Sequence, residues 1–91
     1  MMYSINFTNK AIAHIGRLEK NEPKAFKKLQ KFIEELKLHP YSGTGHPEAL
    51  RGDRSGQWSR QITKKHRLVY EVYENTVVVL VLSAYGHYDD K

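Results

Sequence analysis

The sequence predicts a small α+β domain in the order β-α-α-β-β-β. Two N-terminal helices pack on one face of a mainly antiparallel, twisted sheet. Three patterns carry this expectation. Residues 3–7 alternate apolar and polar side chains, as a half-buried strand does. Two later stretches repeat apolar residues at helical spacing, and three β-rich runs separated by turn signals close the chain. With 91 residues the expectation is one domain, 1–91, around one modest core.

Each element has a local reason. Thr8 or Asn9 can cap a first helix, whose apolar face is read as Ile12, Ile15 and Leu18. Asn21-Glu22-Pro23 restarts the pattern, because proline is tolerated in a first helical turn. Phe26, Leu29, Phe32, Ile33 and Leu36 then form the stripe of a second helix, with lysines and glutamates on its other faces. That helix should end near His39-Pro40, since a residue before proline avoids the helical region. The stretch HPYSGTGHPEALRGDRSGQ reads as a long surface connection, with at most a short strand at residues 49–51. Strands are expected at residues 58–63, 66–73 and 76–85, joined by tight turns at Lys64-Lys65 and Glu74-Asn75. The first strand must join these, because alone it would not be stable.

Composition narrows the classes. Hydrophobic residues make up 40% of the chain, which argues against disorder. There is no cysteine, hence no disulfide framework or thiolate metal site. The N-terminal residues show no basic region leading into an apolar one, and the longest apolar run, 77–82, is far too short to span a bilayer. A cytoplasmic protein without membrane association is expected. The net charge of +5 suits a polyanionic partner, with nucleic acid the first candidate.

None of the five histidines forms an i, i+4 helical pair, so no metal site and no cofactor are expected. There is no Gly-rich phosphate loop between a strand and a helix, and no nucleophile elbow. A looser set remains: Glu48, Arg51, Arg60, Lys64, Lys65, His66, Arg67, His87 and Tyr88. Metal-free RNA cleavage needs a base for the ribose 2′-OH, a cation for the phosphate and an acid for the departing 5′-oxygen. Glu48, Arg67 and His87 supply those three types. By composition alone this signal is weak and the bland reading is favoured: a solvated loop acid, a surface ion pair and a chain end.

The order of the residues is more specific. PEALRGDRSGQWSRQITKKHRLVYEV, followed by the terminal YGHY, resembles the YoeB/Txe branch of the RelE-like bacterial toxins. The resemblance is strongest over residues 40–88. It implies a RelE-like fold and a toxin of a type II toxin–antitoxin system, an endoribonuclease that cleaves mRNA in the A site of the translating ribosome. Its implied partners are a YefM/Axe-like antitoxin, the 70S ribosome with its 30S A site and 16S rRNA, mRNA, and a second copy in a homodimer. Residue by residue, Glu48 resembles the general base, Arg67 the phosphate-stabilising cation, His87 the general acid and Tyr88 the aromatic that positions the substrate. Arg51, Arg60, Lys64, Lys65 and His66 are read as RNA- or ribosome-binding. Gln61 stands where the family often has a second arginine, and Asp89-Asp90-Lys91 extends past the usual His-Tyr end. Two other classes stay open: a non-catalytic ribosome- or RNA-binding translation inhibitor, and a regulator acting only together with the antitoxin.

Register sets a condition on the triad. A two-residue turn at Glu74-Asn75 would set Arg67 against Leu82. His87 would then lie about 16 Å further along an extended strand. Gly86, free to take positive φ, is the expected bend that returns the chain.

Overall fold

The computed structural model of the protein describes residues 2–86. Strand β1 (Ser4–Phe7) leads into helix α1 (Asn9–Asn21), and α2 (Pro23–Leu36) follows. A long connection carries the two-residue strand β2 (Glu48–Ala49) and a 3-10 turn at Gly52–Arg54. Strands β3 (Gln57–Gln61), β4 (Arg67–Tyr73) and β5 (Val78–Ser83) complete the sheet, whose order is β1-β5-β4-β3-β2. All neighbours are antiparallel except β1, which joins β5 in parallel. Among the described residues no helix is long and apolar enough to cross a membrane.

Thr8 caps α1 by accepting the Ala11 N–H at 3.0 Å. The same hydroxyl donates to the Leu82 carbonyl at 2.9 Å, so one side chain starts the helix and fixes it to β5. Glu22, with φ −140° and ψ 73°, breaks the helical path between α1 and α2, and Pro23 opens the second helix. The core joins Leu18, Leu29, Phe32 and Leu36 from the helices to Leu68, Tyr70, Val79 and Val81 from the sheet. One expectation fails here. Ile12 is 57% exposed, and Ala11 takes its place on the buried face. The helix is rotated so that 11, 15 and 18 face the sheet instead of 12, 15 and 18, because the Thr8 cap sets its phase.

The turn between β4 and β5 is longer than the sequence suggests. Tyr73 pairs with Val78, not Thr76, and Val77 sits at φ 55°, an uncommon conformation for a β-branched residue. The register then slips again. Tyr70 pairs with Val81 but Val69 pairs with Ser83, which leaves Leu82 as an extra residue in β5. Both shifts carry the end of the chain toward the start of β4.

Candidate active site

Side chains alternate along a strand, so the sheet has two distinct faces. Leu68 and Tyr70 of β4 enter the core under the helices. Arg67, Val69 and Glu71 therefore point to the opposite face. Across β3, Ser59 pairs with Val69 on one side and with Glu48 on the other. Glu48, Ser59 and Val69 thus form one cross-strand row on that face, and Gln61 and Arg67 form the next row of the same face. Strand spacings place the Cα atoms of Glu48 and Arg67 roughly 12 Å apart. Two extended side chains can converge across that gap. Glu48 is exposed and lines a cleft of about 310 Å³ with Ala49, Leu50 and Arg51. Ser59 is buried and its hydroxyl has no hydrogen-bond partner among the described residues, a polar group in the middle of the row that sequence reasoning passed over.

The register shifts bring the described end of the chain to Arg67. The Arg67 N–H donates to the Gly86 carbonyl at 2.9 Å. Arg67 therefore meets residue 86 where the two-residue turn would have set it against Leu82. Gly86 takes φ +79°, the positive value expected of a bend. His87 and Tyr88, read from the sequence as acid and positioning aromatic, lie outside the described residues, as does the Asp89-Asp90-Lys91 extension.

Of the residues read as RNA-binding, Arg51, Lys64 and Lys65 are exposed. The two lysines sit in a turn whose Thr63 hydroxyl accepts the Lys65 and His66 N–H groups, both at 3.1 Å. Arg60 and His66 are corrections. Arg60 is 0% exposed. Its Nη1 donates to Glu35 Oε1 (2.7 Å) and the Thr44 carbonyl (3.2 Å), and its Nη2 to the carbonyls of His39 (2.6 Å) and Ser42 (2.8 Å). Nε donates to the Tyr70 hydroxyl at 3.3 Å, which uses the last of the five donors of a guanidinium. Tyr70 in turn donates to the Pro40 carbonyl at 2.7 Å. Arg60 thus gathers the Pro- and Gly-rich approach to Glu48 and has no donor left for RNA. A Cβ on Gly43 would lie 2.5 Å from Glu35 Oε1, so that glycine makes room for the ion pair. His66 is 3% exposed and is spent on Glu22 and Gly86. No local sequence signal marks either residue as internal, because their partners lie far away in the chain.

Burial works against ionisation of Glu35, but hydrogen bonds from the Thr44 hydroxyl and N–H and from Arg60 outweigh it, and its carboxyl is held below the usual 4.5. His14 moves in the base-like direction for a different reason. Its Nδ1 accepts the Ala84 N–H at 3.1 Å, which requires the neutral ring. Burial and then the positive neighbours Lys10 and Arg17 lower its pKa below 6.5. Because the folded value lies below the unfolded one, the neutral His14 contributes stability fully above pH 6.5 and loses it as pH falls through the folded value. Denaturant titrations at about pH 7.5 and about pH 5.5 should show a smaller pH-dependent loss in His14→Asn, whose amide oxygen keeps the acceptor and does not titrate. An unchanged loss would remove His14 from this role.

Comparison with known proteins identifies the family of the chain. Residues 7–88 match the family model described as the YoeB-like toxin of bacterial type II toxin-antitoxin systems. Toxin YoeB of Streptomyces coelicolor is 34% identical over 76 residues, covering 84% of this chain and 90% of that protein. The YoeB dimer from Staphylococcus aureus superposes with a TM-score of 0.84 at 28% identity, over 97% of this chain and 100% of that one. The toxin of the heterotetrameric YoeB-YefM toxin-antitoxin complex from Staphylococcus aureus gives 0.81 at 29% identity, over 97% and 100%. A match that runs through both helices, the connection bearing Glu48 and the whole meander places this chain in the YoeB branch of the RelE-like toxins, the toxin components of bacterial type II toxin–antitoxin systems.

Proposed function

We propose that this toxin is a ribosome-dependent endoribonuclease that cleaves mRNA in the ribosomal A site by metal-free acid–base chemistry and thereby inhibits translation. One observation carries the reading. Glu48 and Arg67 share one face of the sheet, and the Arg67 backbone holds Gly86, the residue that precedes His87 in the chain. Glu48 takes the proton of a ribose 2′-OH. That oxygen attacks the adjacent phosphorus, and a new P–O2′ bond forms while the P–O5′ bond breaks. The Arg67 guanidinium stabilises the charge gathering on the phosphoryl oxygens. His87 delivers a proton to the departing O5′, and Tyr88 positions the nucleotide.

In-line attack is rare in a flexible RNA strand. Ribosomal RNA can hold the message in that geometry while the toxin supplies the acid, base and cation, which is an orientation effect. Arg51, Lys64 and Lys65 are the exposed cations assigned to ribosomal phosphates. Replacing both lysines with alanine should weaken ribosome binding and make the plot of log affinity against log salt shallower by about 2. An unchanged slope would take the turn out of the interface. By analogy with the Staphylococcus aureus relatives, the protein partners are a YefM-type antitoxin and a second copy of the toxin.

The chemistry leaves a signature on the fragments. The upstream piece should end in a 2′,3′-cyclic phosphate or its opened form, and the downstream piece should begin with a 5′-hydroxyl. A 5′-phosphate on the downstream piece would exclude attack by the 2′-OH and this assignment of roles with it.

A further inference from the structure

Beyond Ser83, where β5 ends, the backbone N–H groups of Ala84 and Gly86 are met by imidazoles. His14 Nδ1 accepts from Ala84, and His66 Nδ1 accepts from Gly86 at 2.8 Å. The second contact is the more constrained. His66 is buried, and its Nε2 lies 2.7 Å from Glu22 Oε2. Since Nδ1 must offer a lone pair to the Gly86 N–H, the proton resides on Nε2 and is donated to the Glu22 carboxylate. The Tyr85 ring packs on the imidazole with centroids 4.2 Å apart, and the Arg17 guanidinium lies 4.0 Å from the centre of that ring.

Gly86 is consequently gripped at both polar groups of its backbone, N–H by the His66 side chain and C=O by the Arg67 N–H. Among the described residues, its chain neighbours aside, nothing lies within 4 Å of a Cβ placed on it, so crowding by them does not impose its bend. The two hydrogen bonds hold it. Packing alone would have been served by any side chain of this size; the pair of directed contacts needs a ring with an acceptor at Nδ1 and a donor at Nε2.

We propose that His66, oriented by Glu22, is a positioning residue for the ribonuclease: it locks the Gly86 peptide, the backbone unit that directly precedes His87 in the sequence. The proposal rests on the endoribonuclease reading above, and the test separates the two. His66→Asn places an amide oxygen near the Nδ1 position and keeps the acceptor. His66→Gln places an amide nitrogen near the Nε2 position, which keeps the donor to Glu22 and loses the acceptor.

Amide exchange at Gly86 is measured by NMR. Single-turnover message cleavage and toxin affinity are measured on programmed ribosomes. His66→Gln should speed Gly86 exchange and slow cleavage, each by about tenfold, the worth of one hydrogen bond, with ribosome affinity unchanged. His66→Asn should restore both. Glu22→Gln, at a side chain 32% exposed, carries the test should the His66 variants fail to fold, and partial loss of protection and rate is expected there. Unchanged Gly86 exchange in His66→Gln, or in Glu22→Gln where that variant carries the test, overturns the anchor. Lost protection with an unchanged cleavage rate overturns its role in positioning. If the wild-type protein protects Gly86 yet cuts no message, the endoribonuclease reading fails and takes the positioning role with it, while the anchor stands.

Discussion

Replacing Arg60 with methionine should lower the free energy of unfolding by about 3–5 kcal/mol, the loss typical of removing one partner from a buried ion pair. Arg60 is fully buried, and its removal takes the donor from the carbonyls of His39, Ser42 and Thr44 and leaves Glu35 with only its Thr44 partners among the described residues. Small domains have only about 5–15 kcal/mol to lose, so the variant should sit near the edge of folding. Urea denaturation reads this directly as a lower midpoint at an unchanged slope. Arg60→Lys should recover only part of the loss, because an ammonium has three donors and no planar fork. Acid sensitivity should change as well. Glu35 is depressed below 4.5 in the fold, so its contribution is present above that value and lost as pH falls through the folded one. Without the Arg60 cation that acid-side loss should shrink. A cost under about 1 kcal/mol in Arg60→Met would mean that the guanidinium does not organise the connection in solution.

The second large effect concerns rate. Glu48→Gln keeps the size and most of the shape of the side chain but removes its basicity. On the proposed chemistry, cleavage should fall by about 10²–10⁴-fold with ribosome binding retained. Arg67→Gln should cost about 10²–10³-fold, the usual loss for a group that stabilises transition-state charge. Arg67→Lys should rescue little of it, since a point charge does not replace a bidentate fork. The double variant should lose less than the product of the two, because residues acting on one transition state are not independent. Single-turnover cleavage, measured beside equilibrium binding, separates these outcomes from weakened docking. Full cleavage by Glu48→Gln would remove it as the base.

The features legible in the sequence are those set by nearest neighbours. Thr8 as a cap, Pro23 as a helix start and the stripe at Leu29, Phe32 and Leu36 depend on a few adjacent residues, and each is found where the pattern puts it. The strands bearing Trp58 and Arg67 are found as well, but Glu48 stands in a stretch that reads as loop, and its pairing with Ser59, which sets it on the Arg67 face, is not legible there. What stayed hidden depends on partners distant in sequence. Arg60 and Arg67 stand in the same meander, yet Arg60 is drawn inward by Glu35 and four hydroxyl or carbonyl oxygens from elsewhere in the chain. His66 looks like part of a basic turn until Glu22 and Gly86 are brought to it. The register of β5 was not readable either. No turn preference selects a β-branched valine at φ 55°, and the extra residue at Leu82 is stabilised by Thr8, at the other end of the chain. These two irregularities are what bring Gly86 to Arg67.

The most direct test of the central claim is to map RNA 5′ ends after purified toxin is added to a message, with and without translating ribosomes. Cuts should be confined to the codon in the decoding site and appear only when ribosomes translate. Stalled ribosomes on an intact message would contradict the claim and make this toxin a blocker that acts by occupancy.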